Sequence, residues 1–489
     1  MFASPSDFYN YYCPSQCDLR IYLQQKGEPE AKPSPFHEVI RKIGLNHERT
    51  HLASFPDCID LGKKTGQVRL ERTLEEIQKR TPVIYHPLFK SSMEILGRNI
   101  DVIGEPDFLV LDGDNYLIRD AKLSRRITER SHPEILRQLE LYGWLYEQVV
   151  GSPCSGLQVF NGVGEIVGIP YTDIGAAGAL LEEMIRIKIM ESEPYSPVGW
   201  SKCSGCGFKE RCWPQAANRN DVAIVVGVDQ GLARALRSSG VDTVKDLLNS
   251  FDVERLAEFK KPHGKQMHKV GKKASSILTM ARSLNTQQEI MIEVPDIPES
   301  SNYVMFDLEG LPPQMDELEK TYLWGFQVFG EKIDEFKCGL AGFGPDGDRG
   351  GWEQFLKKAE RIFDEYGDIP WVHWHHYERV KIDMYIKRYG DPGGIAQKVR
   401  ENLLDLLPIT NKSIALPLPS YSLKVIEKYI GFQRTQDEYG GDWAMAKYIE
   451  AVETNDEEKR NSVMEEIILY NKEDLEATWA VLEWLKTKN

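Results

Sequence analysis

The pattern of apolar and polar positions predicts a β-hairpin in the stretch DVIGEPDFLVLDGDNYLIRDAKLSRR, residues 101–126. The runs FLVL and NYLI are rich in residues that favour strands, and the DGDN between them has the composition of a tight hairpin turn. Asp107 then stands where the first strand begins, and Asp120 and Lys122 stand where the second strand ends. Because facing positions of an antiparallel pair lie side by side, this pattern brings two carboxylates and one lysine together.

Two helical patterns flank the hairpin. The segment PEILRQLELYGWLYEQV is amphipathic, and Gln138 and Tyr142 lie four residues apart in it, so they share one helix face. Upstream, GLNHE also falls in a helical stretch and contains His47. A histidine at this place could serve as a metal ligand, although an isolated histidine is more often an ordinary polar residue.

The C-terminal third opens with a buried strand and closes with a helix. The strand YVMFDLEG carries Asp307 and Glu309 two residues apart, so both point to the same face. The run TYLWGFQV predicts the adjacent strand. Near the end of the chain, Tyr470 and Asp474 lie one helical turn apart on a shared face.

Between these regions, short helical patterns are separated by glycine turns. Gly227, Gly240 and Gly271 each precede such a pattern. Turns of this kind let backbone N–H groups approach a phosphate, helped by the N-terminus of the following helix. In the alternative, the glycines only cap the helices of a spacer. The stretch 259–282 carries six lysines, one arginine and no acid, which favours contact with a phosphate backbone.

The chain of 489 residues is too long for one ordinary domain, and EVPDIPESSN has the prolines and polar residues of a linker. We expect three segments, residues 1–217, 218–290 and 291–489. No apolar run reaches membrane-spanning length and the first residues lack a secretory pattern, so we expect a cytoplasmic protein without a membrane partner. The net charge of −15 argues against a broadly basic surface but leaves room for one local basic face.

The residue types on the hairpin suit metal-dependent hydrolysis. Carboxylate oxygens are ligands for Mg²⁺ or Mn²⁺. A bound ion polarises a phosphate and acidifies a water, and a lysine can position that water or stabilise negative charge. The alternative is a surface hairpin with scattered charges, since the tripeptide D-x-K is common. The aspartates of the DGDN are assigned to the turn alone.

Three cysteines lie close together in the pattern C-x2-C-x5-C near residue 210. In a cytosolic chain this clustering is typical of a metal site. An iron–sulfur cluster needs four thiolates, so one would come from elsewhere in the chain. The candidates for it are Cys13, Cys17, Cys58 and Cys154. Zinc is the alternative from ligand type alone.

The order G-x-x-H, G-x-x-D, D-x-K and Q-x-x-x-Y resembles that of the RecB-type branch of the PD-(D/E)xK nuclease superfamily, over about the first 215 residues. The resemblance implies a restriction-endonuclease-like α/β core in which Lys122 is the catalytic lysine. It also implies that Gln138 and Tyr142 are active-site residues near the DNA. The metal ligands that it implies are His47, Asp107, Asp120 and the carbonyl of Ala121.

The opening text SDFYNYYCPSQCDLRIYLQQ is similar to the C-P-x-x-C-x-L start of the CRISPR-adaptation exonuclease family and its RecB- and AddB-like relatives. In those families one cysteine before the nuclease core and three after it hold a [4Fe–4S] cluster. The resemblance implies Cys13, which carries the proline, together with Cys203, Cys206 and Cys212, and Cys17 is the alternative to Cys13. Such a cluster would close a long loop of chain and stabilise the domain. The cysteines left as ordinary small residues are Cys58, Cys154 and Cys338.

The glycine turns of the middle segment resemble tandem helix–hairpin–helix modules. In the C-terminal third, the order D-x-E, an acid after an aromatic residue, and Y-x3-D resembles the DEDD exonucleases of the RNase H-like fold, in their tyrosine subclass. This implies a two-metal site in which Tyr470 orients the attacking water. The implied ligands are Asp307, Glu309, Glu378 and Asp474. Glu378 stands where that family has aspartate; Asp383 and Asp405 are less favoured for the position. The alternative is a domain without catalytic activity.

The sequence therefore predicts an α/β multidomain chain with a restriction-endonuclease-like α/β core, a small all-α helix–hairpin–helix segment and an RNase H-like α/β domain. We expect a metal-dependent nuclease that hydrolyses DNA, on single strands or ends, with RNA as the alternative substrate, beside a helicase or a repair or CRISPR-type partner. The alternative is a nucleic-acid-binding scaffold or helicase partner with one or both sites inactive. The order of segments resembles that of uncharacterised prokaryotic RecB-like nucleases.

Overall fold

The computed structural model describes residues 1–171, 174–264, 266–311, 320–342, 347–436 and 440–488. The chain divides into two compact units. The first comprises residues 1–33, 40–197 and 201–212, and the second comprises residues 34–39, 198–200 and 213–489. The three-segment division stays a prediction, and the structure places the segment 218–290 within the second unit.

The first unit is built on two β-sheets with helices packed on them. Its strands are β1 (Phe2–Ala3), β2 (Cys58–Asp60), β3 (Val83–Tyr85), β4 (Phe89–Ile95), β5 (Arg98–Gly104), β6 (Phe108–Asp112), β7 (Asn115–Ala121), β8 (Gly156–Phe160) and β9 (Ile166–Ile169). The helices wholly or largely in it are α1 (Pro5–Tyr12), α2 (Asp18–Lys26), α3 (Pro35–Leu52), α4 (Gly66–Gln78), α5 (Pro133–Val150) and α6 (Ile174–Lys188). The sheets have the orders β2-β3-β6-β7-β8-β9 and β1-β5-β4.

Strands β6 and β7 form the hairpin that the sequence predicts. Asp112 pairs with Asn115 across a two-residue turn. Gly113 in this turn has φ 58°, in the left-handed region that glycine enters without steric cost. The prediction of a tight turn at DGDN is confirmed, and the turn sets the register of the two strands.

Helix α5 covers the predicted amphipathic segment and supplies much of the first core. Leu139, Leu141 and Leu145 are fully buried and share one hydrophobic cluster with Ile118 of β7 and Val159 of β8. Burying a leucine side chain stabilises the fold by about 1.5–3 kcal/mol. The helix is therefore firmly attached to the sheet that carries the hairpin.

The second unit contains the remaining elements. Its helices are α7 (Lys209–Asn218), α8 (Gln230–Ser238), α9 (Val244–Ser250), α10 (Val253–Glu258), α11 (Lys273–Thr286), α12 (Gly347–Tyr366), α13 (Tyr377–Tyr389), α14 (Ile395–Glu401), α15 (Leu406–Ser413), α16 (Leu423–Tyr429), α17 (Gly441–Glu453) and α18 (Glu457–Lys486), with short 3₁₀ turns at Val222–Ile224 and Pro392–Gly394. Its strands are β10 (Lys260–His263), β11 (Gln266–Lys269), β12 (Ile290–Met291), β13 (Asn302–Leu311), β14 (Lys320–Gly330), β15 (Lys337–Leu340), β16 (Trp371–His373), β17 (Leu403–Asp405) and β18 (Ile414–Ala415).

A five-stranded sheet of order β15-β14-β13-β16-β17 forms the centre of this unit. Strand β13 runs antiparallel to β14 and parallel to β16. Aromatic side chains fill the core beside it, and the rings of Phe306 and Phe355 stack with their centroids 5.5 Å apart. Trp324 and Trp371 are fully buried in the same cluster. The two strands predicted at YVMFDLEG and TYLWGFQV are confirmed as β13 and β14.

The middle segment contains the predicted helices and one element that the sequence analysis missed. Gly227, Gly240 and Gly271 all have positive φ and stand shortly before α8, α9 and α11. The segment was expected to be all-α, but β10 and β11 form an antiparallel hairpin in which Lys260 pairs with Lys269. The strands were missed because β11 is exposed along its whole length, so no apolar alternation marks it.

No described helix combines the length and apolar composition needed to cross a lipid bilayer.

Candidate metal centres

The β6–β7 hairpin places the predicted carboxylates beside each other. The backbone N–H of Asp107 donates to Oδ1 of Asp120 at 3.0 Å, and the N–H of Ala121 donates to Oδ2 of Asp107 at 2.8 Å. Lys122 Nζ lies 3.1 Å from the other oxygen of Asp120. The structure thus brings together Asp107, Asp120 and Lys122 as the hairpin pattern predicts, and each carboxylate is oriented by the opposite strand.

Burial shapes the charges of this cluster. Burial raises the pKa of the Asp107 carboxyl well above its ordinary range, and the neighbouring Asp120 raises it further. Burial alone would lower the pKa of Lys122, but Asp120 and Asp107 outweigh it and the pKa is raised. The lysine therefore carries a positive charge at neutral pH, and a second cation would relieve the repulsion between the two carboxylates.

A further group of possible ligands meets Asp107. Ligand atoms of Glu48, His86 and Asp107 all lie within 4.8 Å of one another. His86 Nε2 is 2.8 Å from Glu48 Oε1, and the hydroxyl of Tyr85 donates to the same oxygen at 2.5 Å. Glu48 and His86 were not identified from the sequence, because neither stands in a recognisable motif and they are 38 residues apart.

His47, which the resemblance implied as a ligand, occupies a different place. Its ring stacks on Phe160 with the centroids 4.6 Å apart. Its Nε2 lies 3.2 Å from the carbonyl oxygen of Phe160. The structure does not place His47 in the group that Glu48, His86 and Asp107 form.

Helix α5 presents the two predicted polar residues to the same region. The Tyr142 hydroxyl donates to the carbonyl of Glu105 at 3.0 Å, and Gln138 Nε2 lies 3.5 Å from that hydroxyl. Helix α5 packs closely on Gly104, where a Cβ would lie 2.8 Å from the Leu145 side chain and 3.1 Å from the Tyr142 ring. Burial, then Asp120 and Asp107, raise the pKa of Tyr142 well above its ordinary value, so the phenol stays protonated beside the carboxylates.

The cysteines of the C-x2-C-x5-C pattern lie near Cys17 rather than Cys13. The pKa of Cys212 is raised to about 12, first by burial and then by the neighbouring thiols of Cys17, Cys206 and Cys203. Cys13 instead lies 3.7 Å from the hydroxyl of Tyr9. Of the two N-terminal candidates, Cys17, which was the alternative, thus lies beside the C-x2-C-x5-C cysteines.

The second group of acids lies in the C-terminal sheet. Strand β13 carries Asp307 and Glu309, and helix α18 carries Asp474. Carboxylate oxygens of all three residues lie within 4.8 Å of one another. The predicted convergence of the D-x-E strand and the Y-x3-D helix is confirmed as geometry, across more than 160 residues of chain.

The neighbouring carboxylates of this group repel one another when they are ionised. Burial raises the pKa of Asp307 well above its ordinary range, and Asp474 and Glu309 raise it further. Burial and Asp474 do the same to Glu309. Tyr470 is also buried with a raised pKa, so its hydroxyl remains a proton donor. Three buried carboxylates that repel one another are suited to a divalent cation, which would favour their ionised forms.

Asn471 and Gly325 support this group and were not foreseen. Asn471 is fully buried and its Nδ2 donates to Oδ2 of Asp307 at 2.7 Å. A Cβ at Gly325 of β14 would lie 1.7 Å from Oδ1 of Asn471, so only glycine leaves room for the amide. The YNKED segment did place Asn471 beside Tyr470, but its partner on another strand was not visible in the sequence.

Two cations stand beside Asp474. Arg434 Nη2 lies 2.5 Å from Asp474 Oδ1 and 2.6 Å from Glu427 Oε2. Lys424 Nζ lies 3.5 Å from Asp474 Oδ1 and 4.5 Å from the centre of the Tyr470 ring. They partly neutralise the acidic group, and the sequence analysis identified neither.

Glu378 is close to the acidic group but has a partner of its own. It lies at the start of α13, and its Oε2 is 3.0 Å from Nδ1 of His373. Its charge contributes to the raised pKa values of Asp307 and Glu309. The two less favoured acids are used elsewhere: Asp383 pairs with Arg400, and Asp405 caps α15 by accepting from the N–H of Leu407.

The basic stretch of the middle segment is partly neutralised. Lys261 pairs with Asp229, and Lys269 Nζ lies 2.5 Å from Glu258. Lys272 and Lys273 are exposed at the start of α11, directly after the turn at Gly271. A positive charge at this helix start remains available to solvent.

Comparison with known proteins matches one protein family to the C-terminal part of the chain. No curated protein matches the chain significantly. A solved structure titled "Crystal structure of SSO0001" aligns at 15% identity over 43% of this chain and 85% of its own, with a TM-score of 0.24, and no argument follows from a likeness at that score. Residues 304–486 match the family model described as RNase_H superfamily. The C-terminal part of the chain is therefore an RNase H-like domain, which indicates a nuclease-type hydrolase with a nucleic-acid substrate and divalent metal ions.

Proposed function

We propose that the protein is a metal-dependent nuclease with two separate sites, one in the RNase H-like domain and one on the β6–β7 hairpin. The observation that carries the proposal is the convergence of Asp307, Glu309 and Asp474 in a domain of nuclease type. Their raised pKa values show that the described protein groups only partly compensate the negative charge that ionisation of these carboxyls creates.

In the C-terminal site, the three carboxylates would hold Mg²⁺ or Mn²⁺, which supplies charge stabilisation and an activated water for phosphodiester hydrolysis. Asn471 orients the Asp307 carboxylate, and Tyr470 keeps its proton and can orient a water. Glu378 is the fourth acid of the proposed DEDD-type arrangement, held by His373 at its rim. These roles suit exonuclease action from a 3′ end.

In the N-terminal site, Asp107 and Asp120 would contribute carboxylate ligands, and the carbonyl of Ala121 is the further ligand of the RecB-like proposal. Lys122 can stabilise the charge that develops on a phosphate, because it stays protonated and lies against Asp120. Tyr142 and Gln138 donate hydrogen bonds at the edge of the same site. This arrangement supports phosphodiester hydrolysis by the first unit.

DNA is the proposed substrate, on single strands or at ends, and a helicase or a repair or CRISPR-type protein is the proposed partner. Support for backbone binding comes from the exposed Lys272 and Lys273 after the Gly271 turn. Lysines at the start of a helix can contact backbone phosphates whatever the nucleotide sequence is. The helix–hairpin–helix assignment of this segment belongs to the same proposal.

We further propose that Cys17, Cys203, Cys206 and Cys212 hold a [4Fe–4S] cluster. All four thiols belong to the first unit, and Cys17, Cys206 and Cys203 each raise the pKa of Cys212. The resemblance to the one-plus-three cysteine layout favours the cluster, and zinc remains the alternative from ligand type.

The nuclease proposal is tested on end-labelled single- and double-stranded DNA and RNA, with anaerobically purified protein and either Mg²⁺ or Mn²⁺. Asp307→Asn should remove one cleavage activity, and Asp107→Asn should remove another. The matched control is Asp383→Asn, which changes an exposed acid that pairs with Arg400. Full cleavage by the double variant Asp107→Asn/Asp307→Asn would contradict both sites and leave the scaffold alternative.

The cluster proposal is tested by metal analysis. Anaerobic protein should be brown and contain about four irons per chain. Cys17→Ser should lose the iron and Cys13→Ser should retain it, since only Cys17 lies beside the other thiols. One zinc without iron or sulfide would contradict the cluster, and loss of iron in Cys13→Ser alone would return the fourth ligand to Cys13.

A further inference from the structure

We propose that Glu48 and His86 complete the metal site of the first unit with Asp107, and that the His86 imidazole makes this site select Mn²⁺ over Mg²⁺. The inference rests on the proposed N-terminal nuclease site and deepens it by naming ligands on two further elements. It also separates the two sites of the chain by their metal preference.

The geometry brings three donor atoms to one point. A carboxylate oxygen of Glu48, an imidazole nitrogen of His86 and a carboxylate oxygen of Asp107 all lie within 4.8 Å of one another. They come from helix α3, the residue after strand β3 and the residue before strand β6. The His86 N–H donates to the Asp107 carbonyl at 2.8 Å, so the backbone fixes the two side chains relative to each other.

The His86 ring is held with one nitrogen directed at this point. Its ring stacks on Tyr85 at 3.7 Å, and a Cβ at Gly62 would lie 2.5 Å from Nδ1, so the ring packs on bare backbone there. Nε2 faces Glu48 at 2.8 Å. His86 also has φ 52°, a left-handed conformation that is strained for a residue other than glycine. The local structure thus places this imidazole at an energetic cost.

The other carboxylate of the hairpin is less free to bind a metal. Asp120 accepts the N–H of Asp107 with one oxygen and lies against Lys122 with the other. Its relative exposure is 1%. Asp107 has one oxygen bound to the Ala121 N–H, and its other oxygen remains for the group with Glu48 and His86.

Donor type then determines which ion is favoured. Mg²⁺ prefers six oxygen ligands and is reluctant to leave water, whereas Mn²⁺ accepts imidazole together with carboxylates. The group of Glu48, His86 and Asp107 offers one nitrogen and two carboxylates, and Asp120 and the Ala121 carbonyl would add oxygen only. The C-terminal group of Asp307, Glu309 and Asp474 offers oxygen alone. We therefore expect the first site to select Mn²⁺ over Mg²⁺. The second site has no imidazole ligand among these residues, so we expect no such selectivity there.

The test measures Mn²⁺ binding rather than cleavage, by the electron paramagnetic resonance of free Mn²⁺ during titration. The full chain carries Asp307→Ala and Glu309→Ala, so that the C-terminal site is silent. His86→Asn should weaken Mn²⁺ binding about tenfold or more. Asparagine tolerates positive φ, so this change keeps the backbone unstrained. The matched comparison is His47→Asn, which should leave the affinity unchanged.

A third variant tests selectivity. His86→Asp makes the ligand set all-oxygen and should lower the Mn²⁺ to Mg²⁺ affinity ratio about tenfold or more. Unchanged Mn²⁺ affinity in His86→Asn, or loss of affinity in His47→Asn alone, would overturn the ligand assignment. An unchanged ratio in His86→Asp would overturn the selectivity. The nuclease site itself is tested by whether cleavage depends on Asp107. If it does, the proposed nuclease site stands even where the ligand or selectivity assignment fails; if it does not, the nuclease proposal fails on its own evidence.

Discussion

Buried charge governs the individual residues of both sites. In the C-terminal group, burial and then Asp474 raise the pKa values of both Asp307 and Glu309, and Glu309 raises that of Asp307 further. Arg434 offsets part of this charge through Asp474 and Glu427. Single substitutions at these positions therefore change stability as well as chemistry, and the direction of each change follows from the charge that is left.

The stability of the metal-free protein should fall as pH rises. A carboxyl with a raised pKa in the folded state binds its proton more tightly there than in the unfolded chain. For Asp307 and Glu309 the free energy of unfolding should therefore decrease from about pH 4 upward, until the raised pKa values are passed. Mg²⁺ binds the ionised forms, so its stabilising effect should grow with pH. Melting temperatures in EDTA and in Mg²⁺ across this range measure both effects.

Asp307→Asn is the control for this pH dependence, since it removes one of the coupled carboxyls and should flatten the decrease. An equal gain in melting temperature from Mg²⁺ at every pH would contradict the assignment of the cation to these carboxylates.

Arg434→Gln should destabilise the C-terminal domain. The Arg434 and Asp474 side chains are 9% and 10% exposed, and Glu427 is 2% exposed. Removing one partner of a buried ion pair costs about 3–5 kcal/mol, because the remaining charges are left without compensation. Denaturant unfolding in EDTA measures the loss. Arg349→Gln breaks an exposed pair with Glu353 and should cost about 0–1 kcal/mol. Equal effects of the two changes would contradict the role of Arg434.

Packing between elements fixes the orientation of these side chains. In the C-terminal domain, strand β14 runs beside β13, and helix α18 lies against both strands. A side chain on α18 can therefore reach a metal ligand on β13 only where β14 leaves space for it. Gly325 provides that space for Asn471. In the first unit, helix α5 packs closely on Gly104 through Leu145 and Tyr142. The close approach of helix α18 to strand β14 is thus required for the contact between Asn471 and Asp307.

Gly325→Ala should displace Asn471 and weaken the C-terminal site. The added methyl group would lie 1.7 Å from the amide oxygen, and overpacking of this kind costs about 1–3 kcal/mol. Asp307 would lose the hydrogen bond that orients it, so Mg²⁺-dependent cleavage should fall together with the melting temperature. Gly350→Ala, where no atom lies within 4 Å, should change neither. If Gly325→Ala kept the wild-type cleavage rate and melting temperature, helix α18 would be able to shift without cost and the role of Gly325 would be contradicted.

Helix α11 should contribute to backbone binding through its first residues. Lys272→Ala/Lys273→Ala should weaken DNA binding at all sequences alike, and should lower the salt dependence by about one unit of slope per lost phosphate contact. Fluorescence anisotropy at several salt concentrations measures the slope. The control changes Lys26 and Lys32, two exposed lysines of the first unit, to alanine. Equal slopes for both double variants would leave only the spacer interpretation of the segment.

Across the whole molecule, the sequence predicted features that depend on neighbouring residues and missed those formed by distant ones. The DGDN turn and the D-x-E strand are local patterns, and the structure confirms both. Glu48 and His86 lie on separate elements, and their meeting depends on how α3 and β3 pack. Arg434 likewise reaches Asp474 across 40 residues. The C-terminal fold was predicted because its strands and final helix carry local patterns in a recognisable order.

The two sites should act independently. They belong to separate compact units and share no described ligand. Two separate sites would cut in parallel and their rates would add, so cleavage that survives Asp107→Ala should be removed by Asp307→Ala, and the reverse. Rates of the two single variants and the double variant on one substrate form the test. A single variant that abolishes all cleavage on every substrate, while the protein stays folded, would contradict two independent sites.

The distances along the chain between the ligands have a consequence for the order of assembly. Asp107 and Asp120 are hydrogen-bonded and 13 residues apart in the chain, whereas the hydrogen-bonded Asp307 and Asn471 are 164 residues apart. Hairpins form within about 1–10 μs, but contacts over long separations wait for a slow search that must close the intervening loop. During synthesis, the first carboxylate pair can form while the second half of the chain is still being made. The C-terminal pair can form only after helix α18 has emerged, so a chain that stops early keeps the first pair and lacks the second.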